Sequence, residues 1–243
     1  MSRGVIVYRG PSLIDGGPIV AISSWRSSNS KTGDVPQVWI LREDVPPLDA
    51  ARTEADRSIC GGCPLRGRVI GGRNVGRSCY VVLHHAPTSV WMAYRRGVYR
   101  TVGRAQLGRL FAGVFVRVGA YGDPAAVPAK VWRSMLAKAR GWTAYTHQWR
   151  DGADLQWLAM ASCETGEDAR EATALGYRVF RVTPPDEPAS AGYAACPAST
   201  EQGRRLTCLE CGACNGGAPG TGPHVRIAVH GSRARHALPL LAS

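Results

Sequence analysis

Seven of the eight cysteines in this 243-residue chain fall into two groups spaced like metal ligands. Cys60, Cys63 and Cys79 form one, C-x2-C-x15-C, and Cys196, Cys208, Cys211 and Cys214 form the other, C-x11-C-x2-C-x2-C. Two-residue gaps let neighbouring thiolates turn toward one centre, and small residues such as Gly212 and Ala213 let the backbone approach it. Four cysteines can complete a site alone. Three are one short of a tetrahedral set, so the fourth position falls to a histidine, a water or a substrate, and an open position separates a reactive metal site from a sealed one. His84, His85, His147 and His230 are the histidines that could close it.

A C-x2-C-x2-C run with a separate Cys196-Pro197 is similar to the ligand grammar of ferredoxin-like [4Fe–4S] sites, although there the Cys-Pro follows the run. Zinc sites more often present two separated C-x2-C pairs. The expectation is therefore an iron–sulphur cluster, with zinc as the alternative. Cys163, the eighth cysteine, reads as a small buried residue.

The elements that would position these ligands alternate. Gly103 to Ala112 reads as a helix, Val114–Val118 as a strand, and Pro128–Ala139 as a helix with Val131, Met135 and Leu136 on one face. Trp142–Thr146, Leu158–Ala161 and Tyr177–Val182 read as strands, with a helix over Glu167–Leu175 stopped by Gly176. Tyr80–Leu83 is expected as a further short strand, Val225–Val229 as the last, and the Gly- and Arg-rich segment 61–77 as a long loop. This pattern predicts an α/β fold: a partial or distorted (β/α) barrel or open parallel sheet with a cysteine-rich metal-binding insertion. Three segments follow: irregular N-terminal strands over 1–59, an α/β core with the first cysteine group over 60–183, and a cysteine-rich segment with the final strand over 184–243.

In parallel α/β folds ligands bind beyond the carboxyl ends of strands. That rule gathers Tyr121, Asp123, His147, Gln148, Cys163 and Glu164 on one rim, with Asp123, His147 and Glu164 as candidate catalytic groups at a substrate mouth. Gly122-Asp123-Pro124 also reads as a turn and helix cap. The chain has no G-x-x-x-x-G-K-[ST] loop and no G-x-S-x-G, which removes support for an NTPase and a serine hydrolase. His84-His85 lacks the spacing of a metal-dependent nickase, since neighbours on a strand face opposite ways.

Thirty Lys and Arg against 18 Asp and Glu give a net charge of +12, which makes nucleic acid a possible partner through Arg66, Arg68, Arg73 and Arg77. No signal peptide is expected at the N-terminus and no stretch of about 18 apolar residues is present, so the expectation is a cytoplasmic chain with no membrane partner. In a reducing compartment thiols more often bind metal or do chemistry than pair as disulfides.

Cys60-x2-Cys63 with Cys79-Tyr80, Gly122-Asp123, Tyr145-Thr146-His147-Gln148-Trp149, Cys196-Pro197 with Cys208, Cys211 and Cys214, and a strand ending in His230-Gly231 follow one another along the chain. In this order and spacing, from Cys60 to Gly231, the chain resembles bacteriophage and mobile-element proteins related to mycobacteriophage gene product 88. The resemblance implies a phage origin, and hence a host-cell cytoplasm, with two cysteine clusters on a barrel-like scaffold; it implies no reaction. The layout is also similar to radical S-adenosylmethionine enzymes, in which a three-cysteine [4Fe–4S] site (here Cys60, Cys63 and Cys79) leaves one iron for S-adenosylmethionine and further cysteines hold an auxiliary cluster. Their usual C-x3-C-x2-C is absent here. The combined expectation is an iron–sulphur enzyme acting on a small molecule, against a zinc-stabilised nucleic-acid-binding protein of phage replication or regulation.

Overall fold

The computed structural model describes residues 3–27, 29–151, 154–188, 191–199, 203, 206–217, 220–231 and 233–241. It opens with an antiparallel meander, β1 (Gly4–Pro11), β2 (Pro18–Ser24) and β3 (Gln37–Arg42). Val5, Ile19, Val20, Ile22, Val38, Ile40 and Leu41 have no solvent exposure. Continuous apolar runs such as Val38–Leu41 suit strands covered on both faces.

A small hairpin follows, β4 (Arg68–Ile70) with β5 (Arg73–Val75), then β6 (Arg100–Thr101), β7 (Phe115–Tyr121) and β8 (Gly141–Thr143). The first sheet has six strands in the order β6-β1-β2-β3-β7-β8. It is antiparallel within the meander and parallel between β1 and β6, β3 and β7, and β7 and β8. The remaining strands are β9 (Tyr145–Thr146), β10 (Met160–Cys163), β11 (Val179–Thr183), β12 (Tyr193–Ala195) and β13 (His224–Ala228). They make a second sheet of five strands, β12-β13-β11-β10-β9, parallel throughout.

The architecture is mixed α/β with parallel strands in both sheets, and neither sheet closes into a barrel among the described residues. The expected strand Trp142–Thr146 is divided between the two sheets at Ala144. The Ala144 N–H donates to the Cys214 carbonyl at 3.0 Å and its carbonyl accepts from Met160 N–H at 3.0 Å, so the chain crosses between sheets beside the second cysteine group. The cysteine-rich C-terminal segment supplies β12 and β13 to the second sheet rather than forming a separate insertion.

Two other expectations are corrected. Tyr80–Leu83 is not a strand: Tyr80 is 57% exposed, and a helix over Ala86–Arg95, with Pro87 in its first turn, starts directly after. Four apolar residues are too short a run to separate strand from coil by periodicity. The segment expected as a long loop holds the β4–β5 hairpin, and a 3-10 turn over Pro64–Arg66 precedes it.

The core between helices and first sheet is built around Trp132 and Met135 on the helix Ala129–Leu136, with Leu107 and Phe111 from the preceding helical segment, all with no exposure. The Trp132 indole donates to the Pro124 carbonyl at 3.0 Å, which seats this helix under the end of β7.

Candidate functional site

The hairpin explains how a fifteen-residue gap still yields one group of cysteines. The Cys63 N–H donates to the Cys60 carbonyl at 3.1 Å, closing the first turn. The Leu65 carbonyl then accepts from the N–H groups of Ser78 and Cys79 at 3.0 and 2.9 Å, so the chain leaves through β4, returns through β5 and delivers Cys79 beside Cys63. Asp56, fully buried, anchors the return through Arg66 at 2.6 Å and Arg77 at 3.3 Å. These two arginines, expected at the surface as phosphate contacts, are internal, while Arg68 and Arg73 stand exposed on the hairpin.

Gln148 clamps the same turn from the second sheet. Its Nε2 donates to the Cys60 carbonyl at 3.0 Å and its Oε1 accepts from the Gly62 N–H at 3.1 Å. Gly61 sits between them at φ 53°, where a Cβ would collide with the Gln148 amide; only glycine tolerates both that angle and that approach.

His147 is the histidine brought to the first group. Its ring packs against Cys63 on one side, and its Nε2 lies 2.9 Å from Glu164 Oε1 on the other. Burial alone would lower its pKa, but Cys63 and Glu164 hold it well above the ordinary histidine range. His84 and His85 are exposed and stack edge to face on each other, while His230 reaches the cavity wall with its Nδ1 2.9 Å from the Ala228 carbonyl.

Asp123 is buried and occupied as an acceptor, from His147 N–H at 2.7 Å, the Thr146 hydroxyl at 2.8 Å and Ala125 N–H at 3.0 Å. Burial raises its pKa against those bonds. It therefore caps the turn after β7 and also fixes the backbone that presents His147. Cys163 is fully buried with its Sγ toward the Ala161 carbonyl.

The second group is assembled from three directions. Cys196 is held by its N–H to the Arg226 carbonyl at 2.8 Å, beside β13. Cys208 and Cys211 lie on a one-turn helix with a capping box between Thr207 and Glu210, ended by Gly212 in the left-handed region. The loop after β2 grips that turn, since the Lys31 and Thr32 carbonyls accept from the N–H groups of Cys208 and Leu209 at 3.0 and 3.2 Å. Arg178 pins the chain following Cys211 by donating to the carbonyls of Ala213, Gly216 and Pro223.

Both groups open on one cavity of about 260 Å³, lined by Cys60, Cys63 and Cys79 on one side and by Cys196 and Cys208 on the other. Tyr121, Asp123, His147 and His230 share the wall, so the ends of β7, β9 and β13 do converge, while Glu164 faces a second cleft that His147 also borders. All eight cysteines are free thiols. Burial pushes Cys60 well above the ordinary thiol range, with Cys63, Asp56 and Cys79 adding to it. Burial likewise raises Cys79, against Arg77, and takes Cys214 up to about 12 against a hydrogen bond from Tyr145.

Among the described residues no three His, Cys, Asp or Glu side chains converge as ligands of a single ion. The residues around the first group nonetheless suit an anionic centre. Arg77 Nη2, Ser78 Oγ and Tyr121 Oη are buried polar atoms without a hydrogen-bond partner, and all three flank Cys60 and Cys79 in sequence or across the cavity. Buried donors left unpaired are costly, and an iron–sulphur cluster with its thiolates offers sulphur acceptors for them. Arg117 and Ser78 were not singled out by motif or spacing, and Tyr145 entered only within the run Tyr145–Trp149. Arg117 carried a signal all the same, as the one charged residue inside the buried run Phe115–Val118.

Comparison with protein families, with curated proteins and with solved structures finds no match to this chain. No helix among the described residues is long and apolar enough to cross a membrane.

Proposed function

We propose that this protein is an iron–sulphur enzyme of the phage type, with an open cluster site at Cys60, Cys63 and Cys79 and a second cluster at Cys196, Cys208, Cys211 and Cys214. The observation that supports it best is the shared cavity, with cysteines of both groups in its wall and orphaned donors around the three-cysteine side. A cluster spreads its thiolates around several irons, whereas zinc draws four ligands to within about 2.0–2.3 Å of one ion.

When bound, the clusters supply one-electron chemistry and an iron position that the three-cysteine set leaves open. The chain's own residues do the rest. Asp123 and Gln148 fix the first turn and the His147 backbone. His147 bridges the inner cavity and the outer cleft, and with Glu164 forms a path for a proton from that cleft to the ring nitrogen facing Cys63. Apolar Val81, Phe180, Val182 and Ile227 give the inner cavity part of its wall.

Anaerobic purification followed by iron, zinc and acid-labile sulphide analysis and an absorption spectrum tests the proposal. A brown protein with iron and sulphide is expected, with the signal of one cluster lost in Cys63→Ser and of the other in Cys211→Ser. Colourless protein with stoichiometric zinc, and nucleic-acid affinity falling steeply with salt, would overturn it in favour of a zinc-stabilised binder.

A further inference from the structure

Arg117 lies in the middle of β7, buried at 8% exposure, with its side chain in the cavity wall between the two cysteine groups. Its Nη2 donates to the Tyr80 hydroxyl at 2.9 Å, and its guanidinium carbon lies 5.4 Å from the centre of the Tyr145 ring. Those are its only side-chain partners among the described residues; no carboxylate meets it, and Nε and Nη1 make no hydrogen bond. Buried arginines are paired as a rule, because an uncompensated charge is expensive to keep out of water. Tyr145 is itself fixed, its ring 4.5 Å from Phe180 and its hydroxyl on Cys214.

We infer that Arg117, braced by Tyr80 and Tyr145, binds the carboxylate of a small acidic substrate in the cavity between the cysteine groups. Nη1 and the second proton of Nη2 form the end-on fork that a carboxylate fits. The volume of about 260 Å³ lies below the range of about 300–1,000 Å³ usual for drug-sized ligands, and clusters on the two cysteine groups would take part of it, so the substrate is at most the size of an amino acid or a benzoate. Phe180, Val182 and Ile227 offer its body an apolar wall. The inference rests on the enzyme reading above and names the substrate class of that site.

Fluorine NMR titration of the purified holoprotein with 4-fluorobenzoate and its neutral isostere 4-fluorobenzamide tests it, with iron and sulphide measured on the same samples. The acid is expected to bind about tenfold more tightly or better, the margin of a charge-assisted pair. Arg117→Gln should abolish that preference. Tyr80→Phe, a change at an exposed ring that leaves the cation in place, should reduce it several-fold and carries the test if Arg117→Gln does not fold. Equal binding of acid and amide, binding of neither, or a preference unchanged in both variants overturns the inference. Full iron with no acid preference removes the carboxylate site alone; acid preference in iron-free protein removes the cluster reading alone.

Discussion

Arg178→Met replaces the guanidinium that pins the chain after Cys211 with a side chain of similar length and no donors. Arg178 is 3% exposed and makes three hydrogen bonds of 2.8 Å or less, to the carbonyls of Gly216 (2.8 Å), Ala213 (2.8 Å) and Pro223 (2.7 Å). Two longer ones reach Pro223 O at 3.3 Å and Asn215 Oδ1 at 3.2 Å. Stranding three carbonyls at about 1–3 kcal/mol each gives a gross cost of about 3–9 kcal/mol. Part of that is offset, because burial of a charge among neutral partners is itself unfavourable, as its lowered pKa shows. A net loss near the bottom of that range, about 3 kcal/mol, is a large share of a total stability of about 5–15 kcal/mol and corresponds to a fall in Tm of about 6–12 °C. Urea unfolding followed by tryptophan fluorescence measures it, with Arg178→Lys as the partial-rescue control. A loss below about 1 kcal/mol, the worth of a single ordinary hydrogen bond, would refute this pinning role.

Three further outcomes are expected. Gly61→Ala meets both a positive φ and the Gln148 amide, so under the proposed function metal should be lost from the first cysteine group and kept by the second; equal loss from both would argue against a local clamp. Trp132→Ala empties a fully buried position and breaks the bond to Pro124, at a cost of about 3–5 kcal/mol by denaturant unfolding. At Asp168 burial acts to raise the carboxyl pKa, but Arg150 and Thr165 hold it below its ordinary value, so its stabilisation is present above about pH 4 and lost as pH falls through the depressed folded value. Asp168→Asn should therefore lie below wild type at pH 7 and approach it under acid, and a gap unchanged at low pH would contradict the assignment.

What the residues alone made legible was local. Pro128 at a helix start, the apolar face of Val131, Met135 and Leu136, and Gly176 as a helix stop are short-range signals, and the helices over Ala129–Leu136 and Gly166–Ala174 lie within a residue or a few of where those signals put them. Tyr80–Leu83 was misread because four apolar residues are too short a run to separate strand from coil, and in the Gly61–Arg77 segment the loop reading left out a local signal, the two-residue Gly71-Gly72 turn on which β4 and β5 pair. Val38–Leu41 was legible as apolar, but not as the strand that pairs with β7.

The cysteine spacings grouped the thiols without declaring their arrangement. Only the tertiary structure returns Cys79 through a hairpin to Cys63, chooses His147 over His84 and His85, and turns Arg66 and Arg77 inward onto Asp56. The crossing at Ala144 and the grip of Lys31 and Thr32 on the Cys208 turn then put both groups against one cavity. The physical reason is that thiolate chemistry belongs to a side chain, whereas proximity between residues 60 and 208 is set by sheet order and loop closure, to which no local pattern of residues is sensitive.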